Sequence, residues 1–215
     1  PDDRILAVLP FFHCYGMQLL MNEVLRKGAT CVTMPRFDLE QFLDLVQRYR
    51  ITRLLVVPPI ALALAKHPLV ARYDLSSVTA VGCGAAPLDE AVEEAVAARL
   101  GAVVAQGYGM TEATVLIAVS QWRPGGWRRG SVGRLVPNVD ARIVDPASGA
   151  ELGPGERGEL LIRGPNVTSG YLNRPEETRD LVDADGWRRT GDIACVDGEG
   201  FMFIVDRVKE LIKYK

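Results

Sequence analysis

Three short segments of this chain set glycine beside residues able to do chemistry: PFFHCYGM (10–17), GCGAAPLD (82–89) and QGYGMTEA (106–113). Glycines let backbone N–H groups approach a ligand closely. In the third segment a hydroxyl and a carboxylate follow at Thr111 and Glu112. A threonine hydroxyl bonds a phosphate oxygen, and a glutamate beside it holds Mg²⁺ through oxygen. The same residues also fit a plain role, with glycines serving turns and the Thr-Glu pair capping a helix; both readings stand on these residues alone. His13 stands among Phe11, Phe12, Cys14 and Tyr15. It is either a reactive imidazole or a half-buried strand-end histidine satisfied by one hydrogen bond. Asp192 follows a turn glycine in GWRRTGD (186–192). Such a carboxylate either accepts hydrogen bonds from the adjacent hydroxyls of a ribose or closes a turn. Arg207, Lys209, Lys213 and Lys215 form a basic segment, either functional or a solvated helix face.

Positioning such loops calls for strands that end at one edge of a sheet. Residues 4–9 read as a strand, and 29–34 as a second. Between them Leu19, Leu20, Val24 and Leu25 are spaced for one helix face. Asp38 opens a helix as half of a capping box with Gln41, and Leu39, Phe42, Leu43, Val46 and Tyr49 line its apolar face. LLVVPP (54–59) reads as a strand buried on both faces. A helix near 60–66, a strand at 78–82, a helix at 89–100 stopped by Gly101 and a strand at 102–106 follow. This alternation predicts a parallel α/β sheet with flanking helices, and such sheets bind ligands beyond the carboxyl ends of their strands. After about residue 120, Gly, Pro and turn dipeptides become dense. ARIVD (141–145), GELLIRG (158–164) and GFMFIVDR (200–207) then read as strands of a β-rich subdomain, interrupted by a short helix capped by Asn173. The expected division is 1–122 α/β, 123–205 β-rich, and 206–215 a hinge leading to a further domain.

Composition narrows the function classes. The 215 residues are 48% hydrophobic and 24% charged, as in a globular chain, with a net charge of −2. That balance gives no global attraction to nucleic acid, and Trp122, Arg123, Trp127, Arg128 and Arg129 alone are thin support for it. No apolar run approaches the ~20 residues of a membrane span. Four cysteines without CxxC pairing suggest neither a zinc site nor a disulfide framework, and a cytoplasmic setting is expected. ILAVL (5–9) starts almost at the first residue, and RVKELIKYK (207–215) stops inside a basic segment. The chain therefore reads as an internal piece of a longer protein, with a small domain of unusual ends as the alternative.

Taken together, the segments resemble the adenylate-forming acyl-CoA synthetase family, especially 4-coumarate–CoA ligases, and are similar to beetle luciferases. PFFHCYGM (10–17), PPIALALAKHP (58–68), YDLSSV (73–78), GAAPL (84–88), QGYGMTEA (106–113), GELLIRGPNVTSGYLNRPEET (158–178), DGWRRTGDIACVDGEGFMFIVDR (185–207) and VKELIKYK (208–215) carry the resemblance, in family order. It implies the large N-terminal domain of an adenylate-forming enzyme that uses ATP, Mg²⁺ and CoA. A carboxylate attacks the α-phosphorus of ATP, and a thiol then displaces AMP.

The resemblance also implies site roles. Thr111 contacts the α-phosphate and Glu112 binds Mg²⁺. Tyr108 packs on adenine, with Gly84, Ala85 and Ala86 on its other side, and Gln106, Gly107 and Gly109 belong to the same nucleotide set. Asp192 and Arg207 hold the ribose, joined by Lys209 and Lys213. His13 lies by the reacting carboxylate. Cys14, Tyr15, Gly107 and Val115 shape the acyl pocket. Asp206 is the hinge and Lys215 reaches CoA. Two departures qualify this. The family's Ser/Thr/Gly-rich phosphate loop ending in lysine is absent, as is the small C-terminal domain with its catalytic lysine, so the 215 residues alone are expected to be inactive. Arg189 stands where relatives have His, and Thr114-Val115 where coumarate ligases have Gly-Pro, which leaves the acyl group open. The expected function is an ATP-dependent carboxylate–CoA ligase acting on an aryl or 4-coumarate-like acid. The rivals are a fatty-acid or luciferin-type adenylating enzyme and a non-catalytic adenylate-binding domain.

Overall fold

A computed structural model describes residues 2–179 and 181–208. Lys209, Lys213 and Lys215 lie outside the described residues. The chain forms two units, 1–107 with 121–130, and 108–120 with 131–215. The expected boundary at 122/123 falls inside the 121–130 excursion.

In the first unit, strands β1 (Arg4–Ala7), β2 (Thr30–Thr33), β3 (Arg53–Val56), β4 (Ala80–Cys83) and β5 (Val103–Tyr108) run parallel in the order β2-β1-β3-β4-β5. The register sets Val56 beside Cys83 and Cys83 beside Gln106. The segments after β4 and β5 therefore leave the sheet at one edge. Helix α2 (Leu39–Tyr49) is amphipathic and buries Phe42, Leu43 and Val46 against Leu6, Leu54 and Val81, while Tyr49, expected on the same face, is exposed. Each such burial stabilises by roughly 1.5–3 kcal/mol. Asp38 accepts a hydrogen bond from the Gln41 N–H at 2.8 Å, satisfying one of the amides that a helix start leaves unpaired. Helix α4 (Glu90–Leu100) is capped by Asp89 and stops at Gly101, where φ is 63°.

Two local expectations are corrected. β3 ends at Val56, and Pro58 and Pro59 open helix α3 (Pro58–Lys66) instead of extending the strand. Proline lacks a ladder donor, but its fixed φ suits the first helical positions. After β1 the chain winds as a π-helical segment, Gly16–Asn22, before a short α1 (Glu23–Arg26). That wider winding shifts the helical phase. Leu20 and Val24 are buried, while Leu25, expected on the same face, is exposed.

In the second unit, β6 (Ala118–Val119) and β7 (Arg134–Leu135) pair antiparallel. β8 (Asp140–Val144), β9 (Gly158–Arg163), β10 (Arg188–Val196) and β11 (Met202–Arg207) form an antiparallel sheet in the order β11-β10-β9-β8. Ile143, Leu160, Ile162, Ala194 and Met202 make its core with Ala113 and Ile117. Helix α5 (Pro175–Arg179) is short. Asn173, expected to cap it, lies two residues before its start with φ 57° and does not hold the extended backbone of an N-cap. Among the described residues, no helix is long and apolar enough to cross a membrane.

Candidate functional site

In the first unit the segment after β1 packs against itself closely. A Cβ on Gly16 would stand 2.1 Å from the Pro10 carbonyl oxygen, so only glycine allows this turn. It sets Tyr15 inward and His13 outward. The His13 Nδ1 accepts the Tyr15 backbone N–H at 3.1 Å. In the neutral ring the proton is then on Nε2, which is the atom left to act on a ligand. Cys14 lies beside it, its Sγ 3.9 Å from Nδ1. The buried Tyr15 hydroxyl donates to the Val56 carbonyl at 3.4 Å. Burial, followed by the nearby Cys83, pushes that hydroxyl far above the ordinary phenol range, so it remains a donor.

The turn after β4 lies over the same tyrosine. A Cβ on Gly84 would sit 3.4 Å from both the Tyr15 ring and the Gly107 carbonyl oxygen. Ala85 takes a left-handed φ of 73°, a strained value for a residue with a Cβ, and it is exposed together with Ala86. Gln106 holds this turn in place. Its Oε1 accepts the Leu88 N–H at 2.9 Å, and its Nε2 donates to the Leu88 carbonyl at 3.2 Å and to Glu93 at 3.1 Å. The Gln106 amide therefore positions the turn.

Glu93 is a buried carboxylate on α4, and sequence reasoning missed it. Burial raises its carboxyl above the usual value, partly offset by Gln106, the Gly130 N–H and Arg129. The folded state thus holds this proton more tightly than the unfolded chain. Its contribution favours the fold at low pH and is lost as pH rises from about 4.5 through the raised value. Glu93→Gln is expected to flatten the pH dependence of unfolding over that range. Urea titrations at several pH values check this, and an unchanged slope in the variant would remove Glu93 as its source.

In the second unit, β5 ends at Tyr108 and the chain folds back through 109–117. Thr111–Ala113 make a single 3₁₀ turn with Met110 at its cap position, so the Thr-Glu pair does not cap a longer helix. Thr114 and Val115 follow with φ of 48° and 83°. Such values in β-branched residues cost roughly 1–3 kcal/mol each and persist only where the surroundings hold them. Here Asn166 does so, donating to the Ala113 carbonyl at 3.0 Å and the Leu116 carbonyl at 2.9 Å. Thr168 N–H adds a 2.7 Å bond to the Glu112 carbonyl. Thr111 is exposed on the turn.

Asp192 lies opposite Arg207 in the β10–β11 register, and its Oδ1 is 3.4 Å from the Arg207 Nε. Its other oxygen, Oδ2, accepts the Tyr108 hydroxyl. The structure therefore brings together three of the expected residues, Tyr108, Asp192 and Arg207. Burial first, then the Asp192 carboxylate, pushes the Tyr108 hydroxyl far up, so it stays protonated as donor. Asp206 precedes Arg207 at the end of β11, exposed, its Oδ1 accepting the Arg207 N–H at 2.7 Å.

Glu112 has partners that the sequence reading did not name. Its Oε1 accepts the Tyr171 hydroxyl at 2.5 Å and stands 3.4 Å from the Arg188 Nη2. Tyr171 lies in the quoted run 158–178, and that membership was the only signal available. Among the described residues, no group of three or more His, Cys, Asp and Glu side chains is placed to hold a metal ion. A single carboxylate fits Mg²⁺ carried in on phosphates, since that ion keeps several waters and needs one or two protein oxygens.

A family model described as AMP-binding enzyme matches residues 1–172. The 4-coumarate–CoA ligase 1 of Petroselinum crispum is 45% identical over 218 residues, covering 100% of this chain and 40% of the relative. The 4-coumarate–CoA ligase 1 of Arabidopsis thaliana is 46% identical, covering 100% of this chain and 39% of the relative. The crystal structure of ATP-bound MatB from Rhodopseudomonas palustris superposes with a TM-score of 0.91 at 32% identity, over 99% of this chain and 41% of that one. The chain thus spans about 40% of the length of the curated relatives it matches.

Proposed function

This chain belongs to the AMP-binding enzyme family, and from that premise we propose that its protein is an ATP-dependent carboxylate–CoA ligase acting on an aryl or 4-coumarate-like acid. The Tyr108–Asp192–Arg207 cluster carries this reading. Asp192 is a half-enclosed carboxylate with lone pairs left after its contacts to Tyr108 and Arg207, so it suits the paired hydroxyls of a ribose. Thr111 donates its hydroxyl to the α-phosphate. Glu112 holds Mg²⁺, which when bound supplies positive charge to the phosphates. Tyr108, Gly107 and Gly109 form the nucleotide floor, and Gly84, Ala85 and Ala86 offer a turn without bulky side chains to adenine. The exposed His13 Nε2–H donates to the reacting carboxylate, and Cys14, Tyr15 and Val115 shape the acyl pocket. Asp206 is the hinge, followed by Lys209, Lys213 and the CoA-directed Lys215. The work of these residues is to hold two anions in line, which is how phosphoryl chemistry is catalysed.

The test is acid-dependent exchange of labelled pyrophosphate into ATP by the full-length protein, with cinnamic and fatty acids in parallel. Exchange with the cinnamic acids, followed by thioester formation on adding CoA, is expected. AMP binding with no acid-dependent exchange would instead establish a non-catalytic nucleotide domain. The 215 residues contain no Ser/Thr/Gly-rich loop ending in lysine. Alone they are expected to bind AMP but form no acyl-adenylate, since losing one preorganised donor typically costs ~10²–10³ in rate.

A further inference from the structure

We propose that Arg188 is a resident cation that sets how strongly phosphate binding at Glu112 depends on Mg²⁺; the inference rests on the nucleotide reading above. Arg188 opens β10, and its side chain is 2% exposed. Across the sheet its register partner is Ile162, which is fully buried, so the position calls for an apolar residue. A guanidinium stands there instead. Its Nη2 lies 3.4 Å from the Glu112 Oε1, while its Nε and Nη1 are buried without a hydrogen-bond partner.

Burying a charge with so few partners is costly unless something else meets it. Arginine cannot lower that cost by losing its proton, so the charge is present at every working pH. Among the described residues the acid it faces is Glu112, which Tyr171 also grips through its hydroxyl at 2.5 Å while bonding Arg188 itself. The pair is net neutral as built. A divalent cation arriving at Glu112 meets a carboxylate already countered by a guanidinium, which weakens its hold. Anionic phosphates arriving at the same place meet a positive charge fixed by the fold. Both effects have one sign: they make phosphate binding less dependent on the metal than a bare glutamate would. An opposite charge at this range changes a carboxylate's affinity for a cation by roughly 10- to 10³-fold when water is largely excluded.

Calorimetry on the full-length protein tests this with three ligand conditions: ATP with excess Mg²⁺, ATP with EDTA, and AMP. The quantity read is the ratio of the ATP dissociation constant in EDTA to that in Mg²⁺. Arg188→Met, similar in volume and uncharged, is expected to raise this ratio about tenfold while AMP affinity stays within about threefold. Arg188→Lys keeps the charge and should leave the ratio near the original. Glu112→Gln works from the other side: it leaves the guanidinium unopposed, so metal-free ATP binding should tighten and the benefit of Mg²⁺ should largely disappear. If Arg188→Met loses AMP binding through misfolding, Arg188→Gln, uncharged but still able to bond Glu112, replaces it and should raise the ratio in the same way. Unchanged ratios with AMP still bound would overturn the role of Arg188 and leave the nucleotide reading standing. Failure of the unaltered protein to bind either nucleotide would overturn the nucleotide reading itself.

Discussion

Replacing Asp192 with alanine is expected to weaken AMP and ATP binding by about 10²-fold. A ribose held by a carboxylate makes charge-assisted hydrogen bonds, each worth roughly 1.5–3 kcal/mol, and two are lost together. Asp192→Asn keeps the shape but presents one acceptor where two stood, and a loss near tenfold is expected. A structural effect accompanies the first change and must be separated from it. The Tyr108 hydroxyl donates to Asp192 from a largely buried position. Alanine takes away the acceptor of that hydroxyl and leaves it beside Thr190 alone among the described residues, which costs about 1–3 kcal/mol of stability. Tyr108→Phe in the Asp192→Ala background removes the orphaned group. The double variant should therefore regain stability in urea titrations while nucleotide affinity stays low. If calorimetry gives unchanged AMP affinity for both Asp192 variants, Asp192 only ties β10 to Tyr108 and holds no ribose.

The residues that could be read from sequence are those whose role is written in local spacing. Asp38 with Phe42, Leu43 and Val46 gives a capped amphipathic helix, and the structure has it. The glycine-bearing turn after β4 is legible because strand, turn and helix follow each other within a few residues, and the one after β5 because its glycine follows directly on a strand. Strand β10 is a different case. Its first half, RRTGD, is polar and contains a glycine, and its register shifts between Arg189 and Ile193 and again between Ile193 and Ala194. A bulged strand loses the strict alternation by which strands are recognised, so Asp192 was set in a turn instead of within a ladder. Arg188 was missed for the opposite reason: its position is apolar by register, and composition cannot show a guanidinium buried there. Pairings across long separations are also invisible to spacing. Asn166 clasps carbonyls 53 and 50 residues away, and Tyr108 meets Asp192 across 84. For Arg207 and Asp192 the family resemblance supplied what spacing could not, and the register then set them opposite each other.

Gly109→Ala is expected to abolish nucleotide binding, and here the cause is steric. The chain crosses itself at this point: a Cβ on Gly109 would stand 1.3 Å from the Val115 carbonyl oxygen, 2.5 Å from its carbon and 3.1 Å from the Leu116 Cα. These are backbone atoms, so no rotamer change relieves the clash. The turn must open. Opening it breaks the 3.2 Å bond from the Val115 N–H to the Met110 carbonyl, the 2.9 Å bond from the Ile117 N–H to the Tyr108 carbonyl, and the hold of Asn166. A local loss of ~3 kcal/mol or more is expected, read as fast hydrogen exchange at these amides with the β8–β11 sheet still protected. ATP affinity should fall more than ~10²-fold, because Thr111 and Glu112 are carried on the turn that opens. Val115→Gly should act in the opposite direction on stability. It releases a β-branched residue from φ 83°, a gain of roughly 1–3 kcal/mol, against up to ~1 kcal/mol for the extra freedom of glycine in the unfolded chain. At about 2–4 °C per kcal/mol for a chain of this size, a small rise in Tm follows. The pair separates crossing from strain: a destabilised Val115→Gly would mean that Val115 packing outweighs its backbone strain. Wild-type ATP affinity in Gly109→Ala would mean that Thr111 and Glu112 do not depend on this crossing for their positions.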